Sequence, residues 1–238
     1  MKKIKKFFKY FFITLILAIT LIISLIFFNG YSLYKNSISE LPIKETLDKI
    51  RAQENFISYD ELPDIFIDAV VAVEDKRFFN HTGVDLISIG RAVVTNLKDR
   101  DLSEGGSTIT QQIAKNTFFS QKKEFTRKVA EVFVAIDIEK IYTKKEIFEI
   151  YINTNFYGSG YYGIHDAALG YYEKDVSELN DYEATLLAGV PNAPSVYSPK
   201  VNLSLAERRQ SIVLDKMVSA KYLTKEEAKI IEDKQITK

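Results

Sequence analysis

Residues 105–116 read GGSTITQQIAKN, two glycines and two hydroxyls ahead of a short amphipathic run. The glycines break whatever pattern precedes them, and Ser107 or Thr108 supplies the side-chain oxygen that caps the unpaired N–H groups of a helix start. Ile109 and Ile113 then stand four apart, the spacing of one helix face.

The same period recurs on both sides. Upstream, Pro63 opens a helix whose Phe66, Ala69, Val70 and Val73 make one apolar stripe ending at Glu74. Residues 86–97 repeat the pattern with Ile89, Val93 and Leu97. Downstream, Phe125, Val129, Val132, Phe133 and Ile136 form the expected buried face of a long helix. Thr143 and Glu146 have capping-box spacing, as do Ser204 with Glu207 and Thr224 with Glu227, which predicts three more helix starts. Sustained strand alternation and internal repeats are absent, so the fold class is mainly α. Turn residues gather at 155–163 and 191–199, expected as irregular loops where binding groups could sit.

At the N-terminus, residues 1–34 hold five lysines and no acid, and residues 10–34 carry no charge at all. Residues 10–28 are almost wholly Phe, Ile, Leu and Ala, long enough to cross a hydrocarbon core of about 30 Å. A cleaved signal peptide would have a shorter apolar region ending in small residues, whereas this run ends LIFFNG, so an uncleaved anchor is expected. The lysines place the N-terminus in the cytoplasm and the rest on the outer face of the membrane. The expected plan is a basic segment over 1–9, a membrane helix over 10–34, a polar connector over 35–60 and a domain over 61–238.

Composition removes several function classes. The chain has 238 residues with 32 basic and 32 acidic side chains, and zero net charge argues against a general nucleic-acid binder. No cysteine is present, which excludes disulfides, thiolate metal sites and a cysteine nucleophile. Two histidines, His81 and His165, are too few for a multi-histidine metal site.

Three segments carry chemistry. Glu74 and Asp75 follow an apolar helix directly, which is either a general base at the mouth of an apolar wall or a solvated helix end; the helix dipole gives an acid there no stabilising motive. In 105–116, Ser107, Gln111 and Lys115 are spaced by four, a polar stripe beside a helix start suited to a phosphate or sugar, or else an ordinary amphipathic face. Between 115 and 128, five cations (Lys115, Lys122, Lys123, Arg127, Lys128) face one acid, Glu124, which concentrates an anion such as diphosphate, attracts lipid headgroups, or is merely solvated. Glu131 stands four residues after Arg127 as its ion-pair partner. The GxGxxG at 158–163 lacks the preceding strand of a dinucleotide site, and the SxxK matches at 32–35 and 120–123 lack the companion motifs of acyl-transfer enzymes, so all are read as chance.

Taken in order, EDKRFFNHTGVD (74–85), GSTITQQIAK (106–115), RKVAE (127–131), residues 146–163 and AGVPNAPSVYSP (188–199) resemble the five motifs of the peptidoglycan glycosyltransferases, glycosyltransferase family 51, found in class A penicillin-binding proteins. Ile152 and Val190 depart mildly from the pattern, where leucine is common. The resemblance implies a lysozyme-like, mainly helical domain with a small membrane-facing lobe, here a monofunctional enzyme because no transpeptidase half follows. It implies polymerisation of lipid II, a polyprenyl-diphosphate-linked glycan chain passing to the lipid II 4-hydroxyl with inversion to a β-1,4 linkage. Glu74 would be the base. Lys115 and Lys123 would hold the diphosphate, helped by Ser107 and a divalent cation, magnesium or manganese, without a dedicated protein cage. Glu131 would support the site through a cation or by orienting Arg127, and Asp75, Phe78, Gln111, Gln112 and Arg127 are carried over as substrate-binding. Residues 98–104 are expected to be mobile and to close on substrate. Implied partners are lipid II, the growing lipid-linked chain, the membrane and other wall-synthesis or division proteins. A lysozyme-like muramidase or lytic transglycosylase, which needs no diphosphate cradle, is the alternative.

Overall fold

The uncharged N-terminal run forms the larger part of one continuous helix, α1 (Lys2–Glu40), in a computed structural model that describes residues 2–99, 105–119 and 125–234. The helix is long and apolar enough to cross a membrane, and its apolar window is uncovered by the rest of the protein. In chain order follow α2 (Ile43–Arg51), α3 (Asp64–Glu74), α4 (Leu86–Asp99), α5 (Ile109–Phe118), α6 (Phe125–Ile141), α7 (Lys144–Thr154), α8 (Gly163–Tyr172), α9 (Asp181–Gly189), α10 (Pro194–Tyr197), α11 (Pro199–Ala220) and α12 (Lys225–Asp233). Among the described residues the only β feature is an isolated bridge between Phe156 and Tyr162, so the molecule is mainly α as expected.

The core is built by α3 packing on α9 and α11, and by α5 lying between α6 and α7. Phe66, Ala69 and Val70 are buried along the α3 stripe, and Ile109 and Ile113 along α5. Capping boxes form at Thr108, Thr143 and Thr224. The box expected at Ser204 does not start a helix, because Ser204 lies inside α11. The break falls at Asn202 (φ −156°, ψ 89°), whose Oδ1 accepts from the Leu205 N–H at 3.1 Å. The 191–199 stretch, expected as irregular, contains the short helix α10 and a 3₁₀ turn over Val190–Asn192.

Two further expectations change because α1 packs on α6 and α2 packs on α6 and α7. Residues 35–60, read as a connector, complete α1 and form α2. Ile43 and Leu47 are buried, and Arg51 pairs with Glu146 at 2.9 Å and Glu149 at 3.4 Å. On α6 the residues buried within the helical core are Ala130, Val134, Ala135 and Ile138, while Phe125 is exposed. Val129 and Phe133 instead receive α1. A Cβ on Gly30 would stand 2.6 Å from Val129 Cβ, Tyr34 stacks on Phe133 at 5.3 Å between centroids, and the Tyr34 hydroxyl donates to Asp137 Oδ2 at 2.5 Å.

Candidate active site

The last residue of α3 is Glu74, and the chain leaves helical geometry at Asp75 (φ −154°, ψ 75°). Gly83 turns the following loop with φ +87°, and a Cβ there would meet the Ala135 backbone at 3.0 Å, so only glycine brings the loop this close to α6. The Gly83 carbonyl accepts from Thr108 Oγ1 at 2.7 Å, which fixes the start of α5 against the same loop.

This stitching explains Asp75. Its Oδ2 accepts from the Ile109 N–H at 3.0 Å and lies 2.9 Å from His81 Nε2, in a buried cluster. Both acids expected at the substrate thus diverge: Asp75 holds the N-terminus of α5 and lines only a smaller cavity, whereas Glu74 also borders the larger one. Phe78, also expected to touch substrate, is fully buried in the core against Phe79 and Phe148, which removes it from the cavity surface.

Glu74 borders a cavity of about 540 Å³ lined by Gln112 and Lys115 from α5, Lys128 and Glu131 from α6, and Arg209 from α11. A second cavity of about 230 Å³ shares Glu74, Ser107 and Lys216 and extends toward Arg91 and Thr95 on α4. Glu74 Oε2 accepts from Gln112 Nε2 at 2.7 Å, whereas Oε1 is buried without a hydrogen-bond partner. Burial pushes the Glu74 carboxyl above the usual carboxylate range, against the opposing pull of Gln112, Arg209 and Lys115. Burial likewise lowers the half-buried Lys115 ammonium, opposed by Glu131.

Glu131 is buried between two cations, its Oε1 3.0 Å from Arg127 Nε and its Oε2 2.8 Å from Lys128 Nζ. Lys128 also donates to Ser107 Oγ at 2.8 Å. The Ser107–Gln111–Lys115 stripe is therefore divided. Ser107, Gln111 and Lys115 all line the cavity, but Gln111 Oε1 is spent on accepting the Thr108 N–H at 3.1 Å in the capping box, and Gln112 is the polar neighbour of Glu74. Lys123 lies outside the described residues, as do residues 100–104 of the expected mobile stretch; Lys98 and Asp99 end α4.

Sequence reasoning missed Arg209. Its guanidinium Nη2 is 4.0 Å from Glu74 Oε1, and 12% of its side chain is exposed. A signal existed: Ala206, Arg209 and Val213 are spaced three and four apart, which puts an arginine on the buried stripe of α11.

The transglycosylase family model matches residues 41–218. Penicillin-binding protein 1A of Aquifex aeolicus is 41% identical over 182 residues, covering 76% of this chain and 25% of that protein. Penicillin-binding protein 1A/1B of Bacillus subtilis is 40% identical over 192 residues, covering 80% and 21%. The chain thus spans about a quarter or less of the length of these penicillin-binding proteins. A protein of Cupriavidus necator that carries a transglycosylase name is 42% identical over 179 residues, covering 75% of this chain and 77% of that protein. With three quarters of its length under the family model and a buried acid facing a cationic cleft, the chain belongs to the transglycosylase family.

Proposed function

We propose that this protein polymerises peptidoglycan glycan strands, using lipid II as acceptor and a polyprenyl-diphosphate-linked glycan as donor. The observation that carries the reading is the position of Glu74, a buried carboxylate with one uncommitted oxygen, across a single cavity from Lys115 and Lys128. In one displacement the acceptor 4-hydroxyl oxygen forms the new bond to the donor anomeric carbon. Its proton passes to Glu74 Oε1, and the bond from that carbon to the diphosphate oxygen breaks, its electron pair leaving with the polyprenyl diphosphate. A base raised toward neutrality by burial suits the first half of the step, and fixed ammonium groups suit the charge that develops in the second. A single displacement inverts an α-linked donor to a β-1,4 product.

Glu131 acts here by orienting Arg127 and Lys128, the two cations that hold it. Among the described residues no group of three or more acids and histidines could cage a metal ion. A magnesium or manganese ion would be carried by the diphosphate oxygens, and Lys115 with Lys128 are the groups of this chain that would share that charge. The lysines at the N-terminus of α1 would keep that end cytoplasmic and the cleft on the outer face, where lipid-linked substrates and other wall-synthesis or division proteins would meet it.

The test is incubation of the detergent-solubilised full chain with labelled lipid II and a divalent cation, followed by gel separation. Wild type should give a ladder of glycan chains. Glu74→Gln should lose at least a hundredfold in rate, whereas Lys115→Ala should chiefly weaken donor handling and so raise KM. Cleavage of preformed glycan in place of a ladder would favour the muramidase reading, and equal mild losses from both variants would contradict the assigned roles.

A further inference from the structure

Glu74 poses a problem that its neighbours in the sequence do not solve. A base must be ionised before it accepts a proton, yet burial disfavours the charge, and the one hydrogen bond it receives comes from a neutral amide on Oε2. On the other side of the carboxylate stands Arg209. Its Nη2 is 4.0 Å from Oε1, too far for a hydrogen bond but close enough for strong attraction in a mostly dry setting.

Arg209 is held there by its own contacts. Nε donates to the Gly189 carbonyl at 3.4 Å, and the guanidinium lies 6.0 Å from the centre of the Tyr197 ring. The aliphatic stem crosses Gly189, where an added Cβ would stand 3.0 Å from Arg209 Cγ and 3.3 Å from Val213 Cγ2. The glycine of the AGVP segment therefore leaves room for the arginine, and the segment reaches the base through it.

We infer that Arg209 is a positioning residue for the base: it keeps Glu74 ionised while leaving Oε1 open to the acceptor hydroxyl. The inference rests on the reading of Glu74 as general base. Other groups also face this carboxylate: Gln112 and Lys115 from α5, Lys216 from α11, Lys128 and Glu131 across the cavity from α6, Asp75 beside it, and the neutral Tyr151 and Tyr157 behind it. Among the described residues Arg209 is the cation within ion-pair range of Glu74, and Lys115 and Lys128 are placed to serve the leaving group.

The experiment is the pH profile of kcat/KM for lipid II polymerisation by the full chain in detergent, comparing wild type, Arg209→Gln, Arg209→Lys, Gly189→Ala and Glu74→Gln, with a thermal melt of each. Without Arg209 the acid limb should move up by about one pH unit or more, since an opposite charge at this range shifts a carboxyl by that amount. Activity should recover toward wild type on the alkaline side of the limb. Arg209→Lys should leave the limb close to its wild-type position, and Gly189→Ala, which displaces the stem without removing the charge, should move the limb less than Arg209→Gln but in the same direction. A loss of equal size at every pH, or an unmoved limb in folded variants while Glu74→Gln is inactive, would overturn the inference alone. A Glu74→Gln protein that polymerises with the wild-type profile would overturn both the inference and the base on which it rests. If Arg209→Gln does not fold, the lysine and Gly189 variants decide the matter.

Discussion

In the proposed reaction Glu74 trades stability for chemistry. Its carboxyl is raised chiefly by burial, so the unfolded chain gives up this proton at a lower pH than the folded one. Between the ordinary glutamate value of about 4.3 and the raised native value, the native state binds more protons, and this group's contribution to stability falls as pH rises and stays low above that window. Glu74→Gln keeps the shape and an acceptor for Gln112 but removes the buried charge. Its thermal midpoint at pH 7.5 should therefore lie at or above that of wild type, with the gap closing below about pH 4. A scan of melting midpoint against pH checks this, and a variant less stable than wild type at neutral pH would contradict it. The adjacent acid, Asp75, has its oxygens spent on Ile109 and His81. Adjacent acids in sequence gave no hint of that split, since the partner N–H belongs to a helix more than thirty residues away.

Among the elements, α6 is the one whose two sides do different work. One side presents Lys128 and Glu131 toward the cleft, with Arg127 paired to Glu131; Val129 and Phe133 on another receive α1. Gly30→Leu would push a side chain into Val129 Cβ at 2.6 Å and the Thr126 carbonyl at 2.8 Å. It should cost about 1–3 kcal/mol and lower polymerisation by disturbing the helix that orients the cations. Tyr34→Phe, which loses only the hydrogen bond to Asp137, should cost about 1 kcal/mol with activity nearly intact. Urea titrations in detergent, run beside the polymerisation assay, separate the two. The local signals of these elements were legible: the boxes at Thr143 and Thr224, the α3 stripe and the α5 cap all depend on residues within one helical turn. The buried face of α6 was not, because its sequence mixes an apolar surface for the core with another for α1, and periodicity alone cannot assign either. Asn202 was missed for the opposite reason, a cap hidden inside a run that continues as helix on both sides. Arg209 reaches the site only through the fold, from a helix far downstream of Glu74.

For the whole molecule, α1 carries two functions in one rod, its first part bare and its last part packed on the domain. Chains beginning after residue 28 should keep Gly30 and Tyr34 on α6 and remain monomeric in mild detergent. Chains beginning at residue 41 should expose Val129 and Phe133 and associate, a contrast that size-exclusion chromatography reads directly. A helix of 39 residues is about 58 Å long, close to twice the hydrocarbon thickness of about 30 Å. Because no break separates the embedded part from the part clasped by α6, the cleft is held at one height over the bilayer, as a crane's jib fixes its hook. The lipid-tethered substrate proposed above would move in that same plane, so encounter between the two would become a search over an area at constant altitude. Lengthening α1 by whole turns above the last embedded residue would lift the hook away from its load while leaving every residue of the cleft unchanged.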